Sequence, residues 1–178
     1  MSFNAGGIRG YIGALVIQQL ERDMGIPLRD FVDVFSGVSI GCLLSSLFAL
    51  GVPADYVVNL FETQSGSIFK PKFYYKWGII PVKGPRYCSD SLYSTIHTVI
   101  GDTMLKDLDR SLIGLSTDMT DSSFPCATVF SNRSDQYNNL PIIDMIMASC
   151  AAPSYFAPYQ IEGRRYVDGG LSNCDPSL

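Results

Sequence analysis

Twice within its first fifty residues the chain passes from a short apolar run, through a glycine-bearing turn, into residues at helical spacing. The first pass is Met1 to Asn4, the turn Ala5-Gly6-Gly7, and then Ile8 to Met24. In that helical stretch Ile12, Leu15, Val16 and Leu20 recur at three- and four-residue intervals before Gly25. Such spacing lays an apolar stripe along an α-helix, and a glycine past the last turn is a common stop. The second pass is Phe31 to Phe35, the turn Gly37-Val38-Ser39-Ile40-Gly41, and a helical run from Cys42 to Leu50. Strand, turn and helix in repetition imply crossovers between parallel strands. The expected fold is therefore α/β, in three layers (α/β/α), with a mostly parallel central sheet covered on both faces. Sites in such sheets gather beyond the carboxyl ends of strands, where both glycine turns fall.

The remaining pattern continues this architecture. Pro53 opens a helix through Gln64, and a second is expected over Ser91 to Ile100. Ser111 to Thr117 and Cys126 to Phe130 read as strands, Ile142 to Cys150 as a helix, and Arg165 to Val167 as a last strand. With 178 residues, 47% of them hydrophobic, the chain suffices for one buried core, so residues 1–178 are expected to form a single domain. A formal charge of −4 argues against nucleic acid as a partner, since phosphate binding needs clustered Lys and Arg. Cys42, Cys88, Cys126, Cys150 and Cys174 are odd in number and widely spaced, which fits reduced thiols and suggests no metal site. Neither a leader peptide nor a window of about 18 apolar residues is visible. A cytoplasmic protein with peripheral membrane contact is expected.

Gly37-Val38-Ser39-Ile40-Gly41 has the G-x-S-x-G form of a strand-to-helix turn that exposes a serine hydroxyl. A helix starting just after Ser39 also aims its unpaired N–H groups at that hydroxyl, which favours a developing alkoxide. Acyl transfer needs further donors for the oxyanion, and the turn Gly6-Gly7-Ile8-Arg9-Gly10 can present backbone N–H groups. The proton acceptor is less obvious. The chain has one histidine, His97, set in a helical pattern where packing or surface roles are commoner, and no histidine follows a candidate acid. Asp168, in Tyr166-Val167-Asp168-Gly169-Gly170, closes a short apolar strand and is the best-placed carboxylate; taken alone, the motif reads first as an Asp-Gly turn.

In this order, the three segments resemble the patatin-like phospholipase family, with its D-G-G-G-x-R-G loop, G-x-S-x-G turn and D-G-[GA] aspartate. Ala148 to Phe156 is similar to the segment leading toward the family's aspartate, and Gly101 to Leu108 to the stretch before its middle strand. The resemblance implies a lipid acyl hydrolase of phospholipase A type that works without metal or organic cofactor on membrane phospholipid or another acyl lipid. It also implies a Ser39–Asp168 dyad, an oxyanion hole at Gly6, Gly7 and Ile8, and support from Arg9, Gly10, Gly37, Gly41, Gly169 and Gly170. Two departures stand out. Asn4-Ala5 replaces the usual Asp-Gly, which would cost of order 1 kcal/mol if position 5 required positive φ. The chain also stops ten residues after Asp168 (178 − 168), so a truncated form of the family's domain is expected.

Between Thr63 and Ser89 stand Lys70, Lys72, Lys76, Lys83 and Arg86 with no acid, interleaved with Phe69, Phe73, Tyr74, Tyr75, Trp77 and Tyr87. Aromatic rings and snorkelling lysines suit a lipid–water interface. This segment, Lys70, Lys72, Lys76, Trp77 and Lys83 above all, is expected to be a lid or docking loop; a covering loop that completes the core is the equal alternative.

Overall fold

The computed structural model describes residues 1–68, 71, 84–121, 123 and 125–177. Its elements are β1 (Ser2–Phe3), α1 (Gly10–Met24), β2 (Val34–Val38), α2 (Ile40–Ala49), α3 (Ala54–Ile68), α4 (Ser89–Ile100), β3 (Ser111–Asp118), β4 (Cys126–Ser131), α5 (Ile142–Ser149), β5 (Tyr159–Ile161) and β6 (Arg164–Asp168). Most match the sequence pattern within two residues. Strand β2 starts three residues late because Leu28–Asp30 first makes a 3-10 turn, pinned by Leu28 N–H donating to Glu21 Oε1 at 2.8 Å. Strand β5 was not expected from the sequence; among the described residues its three positions pair with β6 alone.

The N-terminal strands β1, β2 and β3 are parallel, with Val34 to Val38 opposite Ser111 to Leu115. The strands added by the C-terminal half run antiparallel, so the sheet as a whole is mixed. One detail of register matters for the site. Strand β4 pairs with β3 from Ile113 to Asp118 and thereby occupies one edge of it. Consequently β2 and β6 share the other edge, β2 up to Leu115 and β6 from Ser116 onward. The carboxyl ends of β2 and β6 therefore meet beside two consecutive residues of β3.

Helix α2 packs on β1, β2 and β3, and α5 on β3, β5 and β6; the two helices touch, so they cover one face together. All ten residues of α2 are buried. Phe35, Leu112, Phe130, Leu44, Leu47 and Met145 form the centre of the core on this side. Expected helical cover is thus present on one face. On the other, Val34 and Val129 are 45% and 53% exposed, and the described residues supply only the 3-10 turn Gly169–Leu171, whose Gly169 lies against Val38. No helix among the described residues is long and apolar enough to cross a membrane.

Candidate active site

Ser39 joins β2 directly to α2 with φ 56° and ψ −126°, a conformation that a residue with a side chain adopts only when its surroundings impose it. The flanking glycines show what imposes it. A Cβ on Gly37 would stand 2.1 Å from the carbonyl oxygen of Gly41, and one on Gly41 would stand 2.1 Å from that of Phe3. Only hydrogen at both positions lets the helix start this close to the sheet. Ser39 is held from two more sides: its carbonyl accepts from Cys42 N–H at 2.9 Å, and its own N–H donates to Ser149 Oγ at 2.8 Å. Ser149 Oγ in turn donates to the Leu115 carbonyl at 2.5 Å.

Asp168 arrives from the other strand on the same edge of β3. Ser39 Oγ donates to Asp168 Oδ2 at 2.6 Å, across 129 positions of sequence. The second carboxylate oxygen, Oδ1, accepts from Gly170 N–H at 2.8 Å. Both side chains are buried, and burial raises the Asp168 pKa above its usual value despite the opposing hydrogen bonds from Ser39 and Gly170. A hydroxyl donating to a buried, hydrogen-bonded carboxylate is the starting arrangement for proton transfer from serine.

The first glycine turn lines the same cavity as Ser39 through Ala5, Gly6, Gly7 and Ile8. Gly7–Arg9 is a 3-10 turn in which Arg9 N–H donates to Gly6 O, and the N–H groups of Gly6, Gly7 and Ile8 donate to no other described residue. They are available to an oxyanion. Positive φ falls at Gly7 (54°) and not at Ala5, so Ala5 carries no backbone strain. Its N–H donates to Cys174 O at 3.1 Å, which ties the turn to the segment after Asp168. Arg9 is exposed; Gly10 begins α1 against Ile40, and Gly170 lines the cavity.

That cavity measures about 820 Å³ and is mostly apolar, with Ile40, Leu92, Tyr87 and Phe156 among its walls and Ser39 and Asp168 exposed to it. It has the dimensions and polarity of a site for an acyl chain. Cys150 also lines it, but burial pushes that thiol well above its ordinary pKa, and Cys42 behind it up to about 12, so neither is a ready thiolate. His97 lies elsewhere: Nε2 is 3.0 Å from Asp102 Oδ1 and the ring stacks on Tyr93. No group of three or more His, Cys, Asp or Glu among the described residues could hold a metal. Lys70, Lys72, Lys76, Trp77 and Lys83, the residues of the expected lid or docking loop, lie outside the described residues.

The sequence pattern did not single out Ser149. A serine closing an apolar helix has no motif, and its role depends on contacts with β2 and β3. Ser149→Ala removes the acceptor of a buried N–H, a loss of about 1–3 kcal/mol. The expected result is a lower Tm with kcat reduced more than KM is raised, since the Ser39 turn loosens; thermal melts and steady-state kinetics check both.

A family model described as Patatin-like phospholipase matches residues 1–176. A cGAMP-activated phospholipase of Vibrio cholerae is 31% identical over 197 aligned residues, covering 100% of this chain and 55% of that protein. Patatin-like protein 4 of Arabidopsis thaliana is 26% identical, with 100% and 50% covered. Among solved structures, VipD from Legionella pneumophila superposes with a TM-score of 0.64 over 99% of this chain and 46% of its own, at 13% identity, a likeness of fold. The chain spans about half the length of the curated relatives it matches. With the motifs in order and the family model covering nearly every residue, this chain belongs to the patatin-like phospholipase family.

Proposed function

We propose that the chain hydrolyses acyl esters of membrane phospholipids, as a phospholipase A-type enzyme, through a Ser39–Asp168 dyad and an acyl-Ser39 intermediate. The observation that carries this reading is the 2.6 Å hydrogen bond from Ser39 Oγ to Asp168 Oδ2 in a mostly apolar cavity of about 820 Å³. In the first step Ser39 Oγ attacks the ester carbonyl while Asp168 takes its proton, and the N–H groups of Gly6, Gly7 and Ile8 receive the oxyanion. Asp168 then returns the proton to the leaving alcohol. Water, deprotonated by the same carboxylate, releases the fatty acid and restores the serine. A carboxylate is a weaker base than imidazole, so a large part of the barrier reduction falls to the oxyanion donors and to exclusion of water.

Three relatives are named cGAMP-activated phospholipases, so the test includes that nucleotide as a candidate activator. Phospholipid vesicles are incubated with the protein, with and without cGAMP, and products are read by mass spectrometry. Wild type should release fatty acid and lysolipid and be labelled by a fluorophosphonate. Ser39→Ala should lose about 10⁶-fold in kcat and all labelling. Equal hydrolysis by folded Ser39→Ala sinks the proposal.

A further inference from the structure

We infer that the chain docks on an anionic phospholipid bilayer through the first two turns of α1 together with the rim of the active-site cavity, an inference that rests on the lipid substrate proposed above. Helix α1 buries Ala14 and Ile17. A helix covering a domain in water carries polar residues on its outer face. Here that face is apolar over its first two turns: Ile12 and Val16 are 62% and 61% exposed, with Leu15 beside them, whereas the exposed residues farther along are Gln19, Arg22, Asp23 and, at the last position, a lone Met24.

The apolar end is the end at the cavity. Ile8, four residues before Ile12 and half exposed, lines the cavity, so the stripe Ile8–Ile12–Val16 runs outward from its mouth. Tyr155 and Leu171 are exposed and line the same cavity. Single exposed apolar residues are ordinary, but a continuous set joined to a cavity mouth marks a contact surface. The charges select the partner. Arg9, at the start of the stripe, and Arg86, beside Tyr87 of the cavity wall, are both exposed, and neither forms an ion pair among the described residues. Asp168 is the one acid among the described residues lining the cavity, and it is buried. Isoleucine, valine and leucine at the acyl boundary, with arginines at headgroup level, suit an interfacial helix on an anionic bilayer. This placement opens the cavity directly onto the leaflet that holds the substrate.

The test measures binding in the Ser39→Ala background, so that hydrolysis does not alter the vesicles. Vesicles of phosphatidylcholine doped with phosphatidylglycerol are compared with phosphatidylcholine alone by co-sedimentation. Ile12→Gln/Val16→Gln should lose about tenfold or more in affinity, since two apolar side chains leave the lipid. Met24→Gln, an exposed apolar residue at the far end of α1, should bind as the parent does. With Ser39 restored, the double variant should hydrolyse the soluble ester p-nitrophenyl butyrate at the parental rate and lose activity on vesicles alone.

Unchanged vesicle affinity in the double variant overturns the inference, as does parental protein that ignores vesicles or prefers the zwitterionic ones. A parental dimer that the double variant dissociates, with vesicle binding unaltered, assigns the patch to a second copy and overturns it too. Vesicle binding that depends on Ile12 and Val16, with no hydrolysis of either ester, leaves the docking surface standing and removes the proposed activity.

Discussion

Asp168→Asn is expected to lower kcat about 10⁴-fold while the protein stays folded. The amide can keep both hydrogen-bond positions, with its oxygen accepting from Gly170 N–H and its nitrogen donating to Ser39 Oγ. That second bond then has the wrong polarity: the hydroxyl accepts, and nothing takes its proton. Stability should move in the opposite direction from activity. Burial holds the Asp168 pKa above the ordinary aspartate value, so the folded chain binds this proton more tightly than the unfolded chain does. Its contribution to stability is present at low pH and is lost as pH rises from the ordinary value through the raised one. At neutral pH the ionised carboxylate is destabilising, and its replacement by the neutral amide should raise Tm.

The same shift moves the acid limb of kcat/KM above the pH range of an exposed aspartate, because only the ionised form accepts the serine proton. A pH–rate profile and thermal melts of the two proteins settle these points. Parental activity in Asp168→Asn removes the dyad, and an acid limb near pH 4 or below removes the argument from burial.

Gly41→Ala is the second large effect, and it acts on the fold first. The added methyl would need the space 2.1 Å from the Phe3 carbonyl oxygen, which is backbone and cannot rotate away. Helix α2 must therefore withdraw from β1, at a cost of roughly 3 kcal/mol or more. For a chain of this size that lowers Tm by about 6–12 °C. Activity should fall further than stability does, because α2 carries Ser39 at its start while the turn with Gly6 and Gly7 follows β1. Gly37→Ala meets the Gly41 carbonyl at the same distance and should behave alike. By contrast Gly66→Ala, in α3, meets nothing within 4 Å and should melt like the parent. Calorimetry of the three variants checks the order; a parental Tm in Gly41→Ala would mean that the helix and strand are not packed this closely.

Local chemistry made much of this molecule legible. Helical spacing in α1 marked where that helix runs, although Ile12, Leu15 and Val16, which carry it, lie on the exposed face while Ala14 and Ile17 are the buried residues. The glycines of Gly37 to Gly41 marked a turn that side chains would block, and the structure supplies the blocking atoms. Boundaries were less legible where a side chain from elsewhere decided them, as Glu21 does at the 3-10 turn before β2. Asp168 shows the limit within the site: its own residues read first as an Asp-Gly turn, and the preference for a functional role came from family resemblance. Ser149 carried no readable signal, and the apolar stripe Ile12–Leu15–Val16 was readable while its place on the outer face of α1 was not, since both depend on what lies next to them.

Sequence by itself determined the βα repetition, the serine at its sharp turn and the glycines without which that turn cannot form, because sterics and periodicity act over a few residues. Tertiary structure alone decided that β2 and β6 end beside neighbouring residues of one strand edge. That register brings Ser39 and Asp168 to 2.6 Å, buries the carboxylate, and places Ser149 under the serine. Pairing between strands so far apart in the chain depends on the edge that β4 leaves free, and no local pattern encodes it.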